Sequence, residues 1–195
     1  MPEAAVRGCC SLRGETMRSW PLVLIVLIVL GNGRCGFGFT ARVVSIPDGD
    51  TVEVFTPGER YKIPIDLYGI DCPEKQQAFG LAAKEATAAL VGGKEVWIET
   101  LSIGRSGRRG AVITVAGKNV NEILVSKGWA WVHPDYCQHP FCADWRKLQA
   151  EARTDRRGLW TALQPQAPWE WRKRGKRELL YRTPDTKTPV WRYSP

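Results

Sequence analysis

Three short apolar segments separated by turn residues occupy positions 39–71, which read FTARVVSIPDGDTVEVFTPGERYKIPIDLYGID. Thr40–Ile46, Thr51–Phe55 and Arg60–Ile70 are rich in β-branched residues, which favour extended backbone and pack well in sheets. Between the second and the third segment, Thr56-Pro57-Gly58-Glu59 is typical of a turn. The pattern predicts three consecutive strands of a small twisted sheet or barrel.

The remaining predicted elements lie between residues 76 and 160. In chain order they are a helix over Gln76–Val91, strands over Glu95–Leu101 and Ala111–Val115, a short helix capped by Asn119, and a last helix over Ala143–Arg157 whose Trp145, Leu148 and Ala152 should face the core. The predicted order is three strands, a helix, two strands and two more helices. This order is expected of a five-stranded β-barrel of the oligonucleotide-binding (OB) type with three helices. The predicted fold class is therefore α+β.

Length and charge indicate one domain with appendages. The chain has 195 residues, of which 44% are hydrophobic, enough for one core. We divide it into an N-terminal extension (1–36), a domain (37–160) and a C-terminal tail (161–195), which has no periodicity and is expected to be irregular. The domain carries sixteen Lys/Arg and fifteen Asp/Glu, whereas the tail carries eight and three. The net charge of +8 suits a polyanionic partner, but equally an ordinary soluble basic protein.

The tail contains the aromatic and basic run Trp169-Glu170-Trp171-Arg172-Lys173-Arg174. One interpretation is a stacking platform for bases whose basic neighbours bind phosphates. Tryptophans in such a tail more often pack it onto the domain, and we favour this second interpretation.

The N-terminal extension has the features of a secretory signal peptide. A positively charged segment, Met17-Arg18-Ser19-Trp20, is followed by the apolar run Pro21–Leu30. Small residues in Gly31–Gly36 then follow the apolar run, where a signal peptide is cleaved. An apolar run of about ten residues is too short to span a bilayer comfortably. We therefore expect export to the periplasm or the medium, with an uncleaved membrane anchor as the alternative.

Two cysteines, Cys137 and Cys142, stand five residues apart in the sequence. An oxidising compartment would permit a disulfide between them, and we expect one. Because His133 and His139 are nearby, a zinc site is the alternative, although this spacing is not a usual zinc pattern.

Carboxylates recur at two predicted strand ends. Asp48-Gly49-Asp50-Thr51 lies where the first strand turns into the second, and alone it is an ordinary hairpin sequence. Further along, Gly69-Ile70-Asp71-Cys72-Pro73-Glu74 places two more carboxylates at the end of the third strand. Clustered carboxylates repel one another unless a cation offsets the repulsion, and hard oxygen ligands suit calcium. Arg108, after Gly107, adds a guanidinium able to bind a phosphate with two hydrogen bonds.

These motifs resemble, in order and at matching intervals, the signatures of the thermonuclease (staphylococcal-nuclease-like) family. They are Asp48-Gly49-Asp50-Thr51, Leu67-Tyr68-Gly69-Ile70-Asp71-Cys72-Pro73-Glu74, Arg108 after a glycine, and Val120-Asn121-Glu122-Ile123-Leu124-Val125 with Gly128. The resemblance covers residues 39–160. It implies a Ca²⁺-dependent nuclease that hydrolyses phosphodiester bonds in DNA, RNA or both. We infer no stable protein partner and expect a monomer.

The resemblance also implies a role for each matching residue. Asp50 and Asp71 match the calcium ligands, with the main-chain carbonyl of Cys72 as a further ligand. Glu74 matches the glutamate usually assigned as the general base for the attacking water. Arg108 matches an arginine that binds the phosphate and stabilises its developing charge. Asp48 matches an acidic position near the metal.

Asp66 departs from the family pattern, which normally has an arginine five residues before the metal-binding aspartate. A carboxylate there should repel the scissile phosphate. Strand alternation predicts that Asp66 faces the pocket with Lys62 and Tyr68, and Lys62 lies about 13 Å back along the strand. Arg105 and Arg109, which form a basic cluster with the phosphate-binding arginine, are therefore the expected replacements. The alternative function is an OB-type barrel that binds nucleic acid without cutting it, and an envelope-associated structural domain is a third interpretation.

Overall fold

The computed structural model describes residues 38–104 and 107–182. The predicted signal peptide, the end of the tail and Arg105 lie outside the described residues. Within the described part of the chain, no helix is long and apolar enough to cross a membrane.

The described residues form short strands and helices around one barrel. In chain order they are β1 (Gly38–Ser45), β2 (Thr51–Phe55), β3 (Ile63–Leu67), β4 (Ile70–Asp71), α1 (Gly80–Val91), β5 (Glu95–Ile103), β6 (Arg109–Val115), β7 (Lys118–Asn119), α2 (Val120–Ser126), β8 (Trp131–Val132), α3 (Cys142–Thr154), a 3₁₀ turn (Gly158–Thr161) and α4 (Pro168–Arg182).

Five strands close into the barrel. β1 pairs antiparallel with both β2 and β5, β2 pairs with β3, and β5 pairs with β6. The parallel pairing of β3 with β6 closes the barrel, with Leu67 opposite Ala111. β7 only extends the edge of β6 by two residues. The predicted α+β fold with a five-stranded OB-type barrel is confirmed.

Alternate residues of four barrel strands are buried, as expected for a sheet with one face in the core, and in β6 the intervening Val112 is buried as well. The buried pairs are Ala41 and Val43, Val52 and Val54, Ile65 and Leu67, Val96 and Ile98, and Ala111 and Ile113. The helix α2 adds Val120 and Leu124 to the same core. Burying each valine, isoleucine or leucine fully contributes roughly 1.5–3 kcal/mol relative to leaving it exposed.

The third strand is shorter than the predicted segment Arg60–Ile70, because the chain leaves the barrel after Leu67. Gly69 has a φ of 72°, a left-handed conformation that favours glycine. A Cβ at this position would also lie 2.6 Å from the sulfur of Cys137. The chain then continues in β4, which pairs with β8 in a separate two-stranded sheet. This break places Asp71 on that second sheet rather than on the barrel.

The three predicted helices are confirmed, with ends that differ by a few residues. α1 begins at Gly80 rather than at Gln76, since the preceding residues form turns. The side chain of Asn119 caps α2 by accepting a backbone hydrogen bond. In α3, Trp145 and Ala152 are buried as predicted.

The prediction of an irregular tail is wrong for the residues that form α4. Pro168 stands at the first helical position, where its missing N–H would have no partner within the helix anyway. Glu170 places a negative charge near the positive end of the helix dipole. Arginine, lysine and glutamate, which dominate the next turns, are good helix formers. The helix was missed because it carries no apolar stripe of the kind that periodicity detects.

The favoured interpretation of the tail tryptophans is confirmed for Trp169, which packs on the domain. Its ring centroid lies 5.7 Å from that of Trp131 and 4.9 Å from that of His133. Trp131 in turn contacts Trp160, with a centroid distance of 4.3 Å. The start of α4 is thereby anchored to β8 and to the 3₁₀ turn.

Candidate active site

One cleft collects most of the residues that the sequence motifs singled out. It has a volume of about 1310 Å³ and is open to solvent. Its walls come from the β1–β2 turn, β3, residues 69–74, the two ends of the β5–β6 connection, residues 133–140 and α4. The charged side chains that line it among the described residues are six carboxylates and two guanidiniums, namely Asp48, Asp50, Asp66, Asp71, Glu74 and Asp135 with Arg108 and Arg172.

The β1–β2 turn brings Asp50 against Cys72. The backbone N–H of Cys72 donates to Oδ2 of Asp50 at 2.7 Å. A Cβ at Gly49 would lie 2.7 Å from the Cβ of Cys72, so the glycine between the two aspartates is required by packing. From α1, the buried hydroxyl of Thr87 donates to the carbonyl of Gly49 at 2.5 Å. The turn is thus held between α1 and the segment that follows β4.

Asp71 and Glu74 reach the cleft from the segment that follows the barrel strand β3. Asp71 is only 6% exposed, and the pairing of β4 with β8 fixes its backbone. The side chain of Gln77 accepts a hydrogen bond from the N–H of Glu74 at 3.2 Å. The same side chain donates to the carbonyl of Gln166 at 2.6 Å. Gln77 therefore ties the turn that carries Glu74 to the segment before α4.

Burial makes ionisation of the acidic cluster costly. It raises the pKa of Asp50 to about 7, and the neighbouring charges of Asp71 and Asp48 add to this shift. Burial also raises the pKa of Asp71, although hydrogen bonds from Arg172 oppose the shift. The pKa of Asp48 is raised by burial as well. One oxygen of Asp48, Oδ1, is buried without a hydrogen-bond partner among the described residues.

The chemistry of the cluster fits a hard divalent cation such as calcium. Calcium prefers carboxylate and carbonyl oxygens, which Asp50, Asp71 and the main chain of Cys72 offer. Its charge would offset the repulsion within the cluster, and the unpartnered Asp48 oxygen is an atom that such an ion, or its water, would satisfy. Across residues 38–104 and 107–182, no three His, Cys, Asp or Glu side chains are placed to hold a metal by themselves. A calcium ion would therefore need the carbonyl and water as further ligands.

Arg108, just before β6, lies against Asp66. Its Nη2 donates to Oδ1 of Asp66 and, at 3.2 Å, to the hydroxyl of Thr51. The Thr51 hydroxyl in turn donates to the same Asp66 oxygen at 3.2 Å. Asp66 and Tyr68, which strand alternation placed on the face towards the pocket, both line the cleft, as does Leu67 between them. The carboxylate that departs from the family pattern is therefore the ion-pair partner of Arg108.

Of the basic residues considered near the expected arginine, Lys62 and Arg109 lie outside the cleft, and Arg105 is not among the described residues. Lys62 pairs with Glu53, with an Nζ–Oε2 distance of 3.3 Å. The guanidinium of Arg109 lies over the ring of Phe39, 5.7 Å from its centroid. Neither side chain lines the cleft, so the structure does not bring Arg109 to the position predicted for it.

Arg172 is a residue of the cleft that sequence reasoning did not assign to the site. It donates to Oδ2 of Asp71 at 2.7 Å and to Oε1 of Glu74 at 2.6 Å. The sequence separation from Asp71 is 101 positions, and no local pattern links the two. The only signal was the aromatic and basic run around Arg172, for which phosphate binding was one of two interpretations.

A disulfide braces the wall of the cleft formed by residues 133–140. Cys137 and Cys142 are joined, as predicted. Because both sulfurs belong to this bond, the zinc alternative is wrong. The ring of Tyr68 packs edge-on against His139, with a centroid distance of 5.3 Å. The hydroxyl of Tyr68 also accepts a hydrogen bond from the N–H of Gln138 at 3.3 Å. The cross-linked loop is thus attached to the end of β3.

The chain is similar to known nucleases over most of the described residues. Residues 64–162 match the family described as staphylococcal nuclease homologue. A protein named uncharacterized endonuclease, from Escherichia coli O157:H7, is 41% identical over 134 residues, which cover 68% of this chain and 84% of that protein. A micrococcal nuclease of Shigella flexneri is 36% identical over 147 residues, covering 71% and 83%. A probable staphylococcal-like nuclease of Oryza sativa subsp. japonica is 41% identical over 112 residues, covering 57% and 33%.

Proposed function

Because the chain belongs to the staphylococcal nuclease homologue family, we propose that it is a calcium-dependent nuclease that hydrolyses phosphodiester bonds in DNA, RNA or both. The observation that supports this proposal is that Asp50, Asp71, Glu74 and Arg108 all line one open cleft. Oxygen ligands for a cation and a donor for a phosphate thus share a space that a nucleic-acid strand can enter.

We assign each of these residues a part in hydrolysis. Asp50, Asp71 and the carbonyl of Cys72 would hold calcium, which supplies positive charge to the phosphate when bound. Glu74 accepts a proton from water as the water oxygen forms a bond to phosphorus. Arg108 donates hydrogen bonds to the phosphate oxygens and stabilises the charge that develops on them. The bond from phosphorus to the leaving ester oxygen breaks, and that oxygen takes up a proton, so each cleavage consumes one water.

Chelation and substitution test this proposal. The purified protein is assayed on a fluorescent single-stranded oligonucleotide with calcium and with excess chelator. Glu74→Gln should lower kcat by a factor on the order of 10²–10⁴, as expected for loss of a general base. The matched control is Asp144→Asn, which removes an exposed carboxylate paired with Lys147 on α3 and should leave the rate unchanged. Cleavage that persists in chelator contradicts the calcium dependence, and a wild-type rate in Glu74→Gln contradicts the assigned role.

A specific observation supports a second candidate, a barrel that binds nucleic acid without cutting it. The ion pair between Arg108 and Asp66 reduces the positive charge that Arg108 can offer to a phosphate. A non-cutting protein would retain the oligonucleotide on a filter and leave its length unchanged in the presence of calcium. The metal site is tested separately, because calcium bound to the folded state raises the melting temperature and Asp50→Asn should abolish that increase.

We also propose that the protein acts after export, in the periplasm or the medium, as a monomer. The disulfide between Cys137 and Cys142 supports this proposal, because such bonds persist in oxidising compartments. Fractionation of cells that express the full chain is the test. Recovery in the soluble exported fraction is expected, whereas recovery with the membrane would favour the uncleaved anchor.

A further inference from the structure

The guanidinium of Arg172 contacts the two acidic residues nearest to the proposed chemistry. Nη1 donates to Oδ1 of Asp71 at 3.1 Å, and Nη2 donates to Oδ2 of the same carboxylate at 2.7 Å. Nη1 also donates to Oε1 of Glu74 at 2.6 Å. One side chain from α4 thus bridges a proposed calcium ligand and the proposed general base.

The position of Arg172 is set by the packing of the first turn of α4. Trp169, three residues earlier, packs edge-on against Trp131 and His133. The carbonyl of Gln166 accepts the hydrogen bond from Gln77, whose side chain also contacts the Glu74 backbone. The start of α4 is therefore held by the same segments that carry Asp71 and Glu74.

Arg172 retains hydrogen-bonding capacity beyond its contacts with Asp71 and Glu74. A guanidinium has five N–H donors. The three contacts to Asp71 and Glu74 use both hydrogens of Nη1 and one of Nη2, and the other two donors have no partner among the residues that the structure describes. The side chain is 44% exposed and lines the cleft. It therefore presents two free donors, enough for a bidentate contact with a phosphate.

The charge balance among the described residues of the cleft favours a second guanidinium beside an anionic ligand. Among the described residues, six carboxylates line the cleft, against two guanidiniums. Arg108 is paired with Asp66, and even a bound divalent cation would leave carboxylates in excess. A phosphodiester entering this cleft meets net repulsion unless cationic donors lie next to it. Among the cleft residues that the structure describes, Arg172 is the cation that adjoins Asp71 and Glu74.

We propose that Arg172 is a substrate-binding residue of this site, which donates to the oxygens of the scissile phosphodiester beside Glu74 while Arg108 binds the same group from the side of Asp66. This inference rests on the proposed function. It means that α4, read from sequence as part of an irregular tail, completes the site. The contacts to Asp71 and Glu74 hold the guanidinium in place before the nucleic acid enters, so little side-chain order remains to be gained on binding.

Arg172→Ala and Arg172→Lys in the full chain test the inference. The matched control is Arg174→Ala, which removes an exposed arginine from the same helix. On a single-stranded oligonucleotide with saturating calcium, Arg172→Ala should lower kcat/KM by about 100-fold or more, a typical effect of losing one donor to a developing anion. Arg172→Lys should have a kcat/KM between those of Arg172→Ala and the wild type, because lysine keeps the positive charge but cannot form the bidentate contact of a guanidinium. Arg174→Ala should stay within about twofold of the wild type.

A second readout separates substrate binding from a merely structural ion pair. In a Glu74→Gln background, which slows cleavage, oligonucleotide affinity is measured by fluorescence anisotropy with and without the Arg172→Ala change. The affinity should fall at least tenfold, while the calcium affinity measured calorimetrically without nucleic acid should not weaken. A loss of melting temperature with unchanged oligonucleotide affinity would overturn the proposal, because Arg172 would then only tie α4 to the domain.

Other outcomes are equally decisive. If Arg172→Ala raises turnover and tightens calcium binding, the guanidinium only blocks the carboxylates, and the proposal is wrong. If Arg172→Ala and Arg174→Ala lower kcat/KM equally, the effect comes from the overall positive charge of α4 rather than from a specific contact, and the proposal is wrong. If the wild type does not cleave at all, the nuclease proposal fails, but the anisotropy measurement still decides whether Arg172 binds the phosphate backbone.

Discussion

Replacing Asp66 is expected to raise the activity of the protein. The carboxylate accepts hydrogen bonds from Arg108 and Thr51, and the side chains of Asp66 and Arg108 are 40% and 46% exposed. Ion pairs this exposed contribute about 0.2–1 kcal/mol. Breaking the ion pair with Asp66, so that Arg108 can bind a phosphate instead, therefore costs at most about 1 kcal/mol. Asp66→Asn keeps the shape of the side chain and removes this competition.

The substitution also removes a direct repulsion between Asp66 and the phosphate. At a separation of about 4 Å in water, two unit charges interact by about 1 kcal/mol. The two effects together amount to at most about 2 kcal/mol, and each 1.36 kcal/mol corresponds to a tenfold change in rate. We therefore expect kcat/KM to rise between about fivefold and about 30-fold in Asp66→Asn. Asp66→Arg, which adds a guanidinium, should raise turnover at least about tenfold.

The assay is initial-rate cleavage of a single-stranded oligonucleotide at fixed calcium and low salt. Asp144→Asn is the control, because it removes an equally simple surface ion pair, to Lys147 at 2.8 Å, outside the cleft. Because surface pairs are screened, the gain in Asp66→Asn should shrink as salt is raised. A rate in Asp66→Asn equal to or below that of the wild type would refute the reasoning, since Asp66 would then position Arg108 rather than compete for it.

Three further predictions concern the metal site, the core and the disulfide. Burial raises the pKa of Asp50 to about 7 in the calcium-free protein, so a proton competes with calcium below that pH. Calcium affinity measured by calorimetry should fall by up to roughly tenfold per pH unit on acidification, and constant affinity through this range would contradict the prediction. Asn121 is fully buried, and its side chain forms hydrogen bonds with three backbone groups. Asn121→Ala should therefore lower the free energy of unfolding, measured in urea, by roughly 3 kcal/mol. A loss below about 1 kcal/mol would be inconsistent with those hydrogen bonds. Replacing Cys137 and Cys142 by serine should cost roughly 2 kcal/mol for a loop this short. Reductant should lower the melting temperature of the wild type but not of the double variant.

Features decided by nearby residues were predictable from sequence. The strand segment Thr51–Phe55 was predicted with the ends that the structure shows, because valines alternate with outward-facing residues and Pro57-Gly58 marks the turn. The cap at Asn119 follows from its own side chain, which reaches the first turn of α2. The positions of Asp50 and Asp71 in one cleft were expected from the resemblance of their motifs to the thermonuclease family.

Features decided by distant contacts were not predictable. The turn of the chain at Gly69 depends on packing against Cys137, far along the sequence. Asp66 was expected to face the phosphate and repel it, but Arg108 pairs with it across the closure between β3 and β6. The role of Arg172 depends on α4, whose position depends on aromatic contacts made by Trp169. None of these partners leaves a periodic signal in the sequence around the residue it affects.

The 101 positions that separate Arg172 from Asp71 have a consequence for how the protein is made. During translation the N-terminal parts of a chain leave the ribosome and begin to fold first. The barrel and its carboxylates therefore emerge before α4 has been synthesised. At that stage the nascent chain contains the acidic residues of the cleft but lacks Arg172. In the role proposed above, this guanidinium is what allows a phosphodiester to approach the carboxylates. On the proposed function, a nascent chain without α4 would be less able to cut nucleic acid than the finished protein.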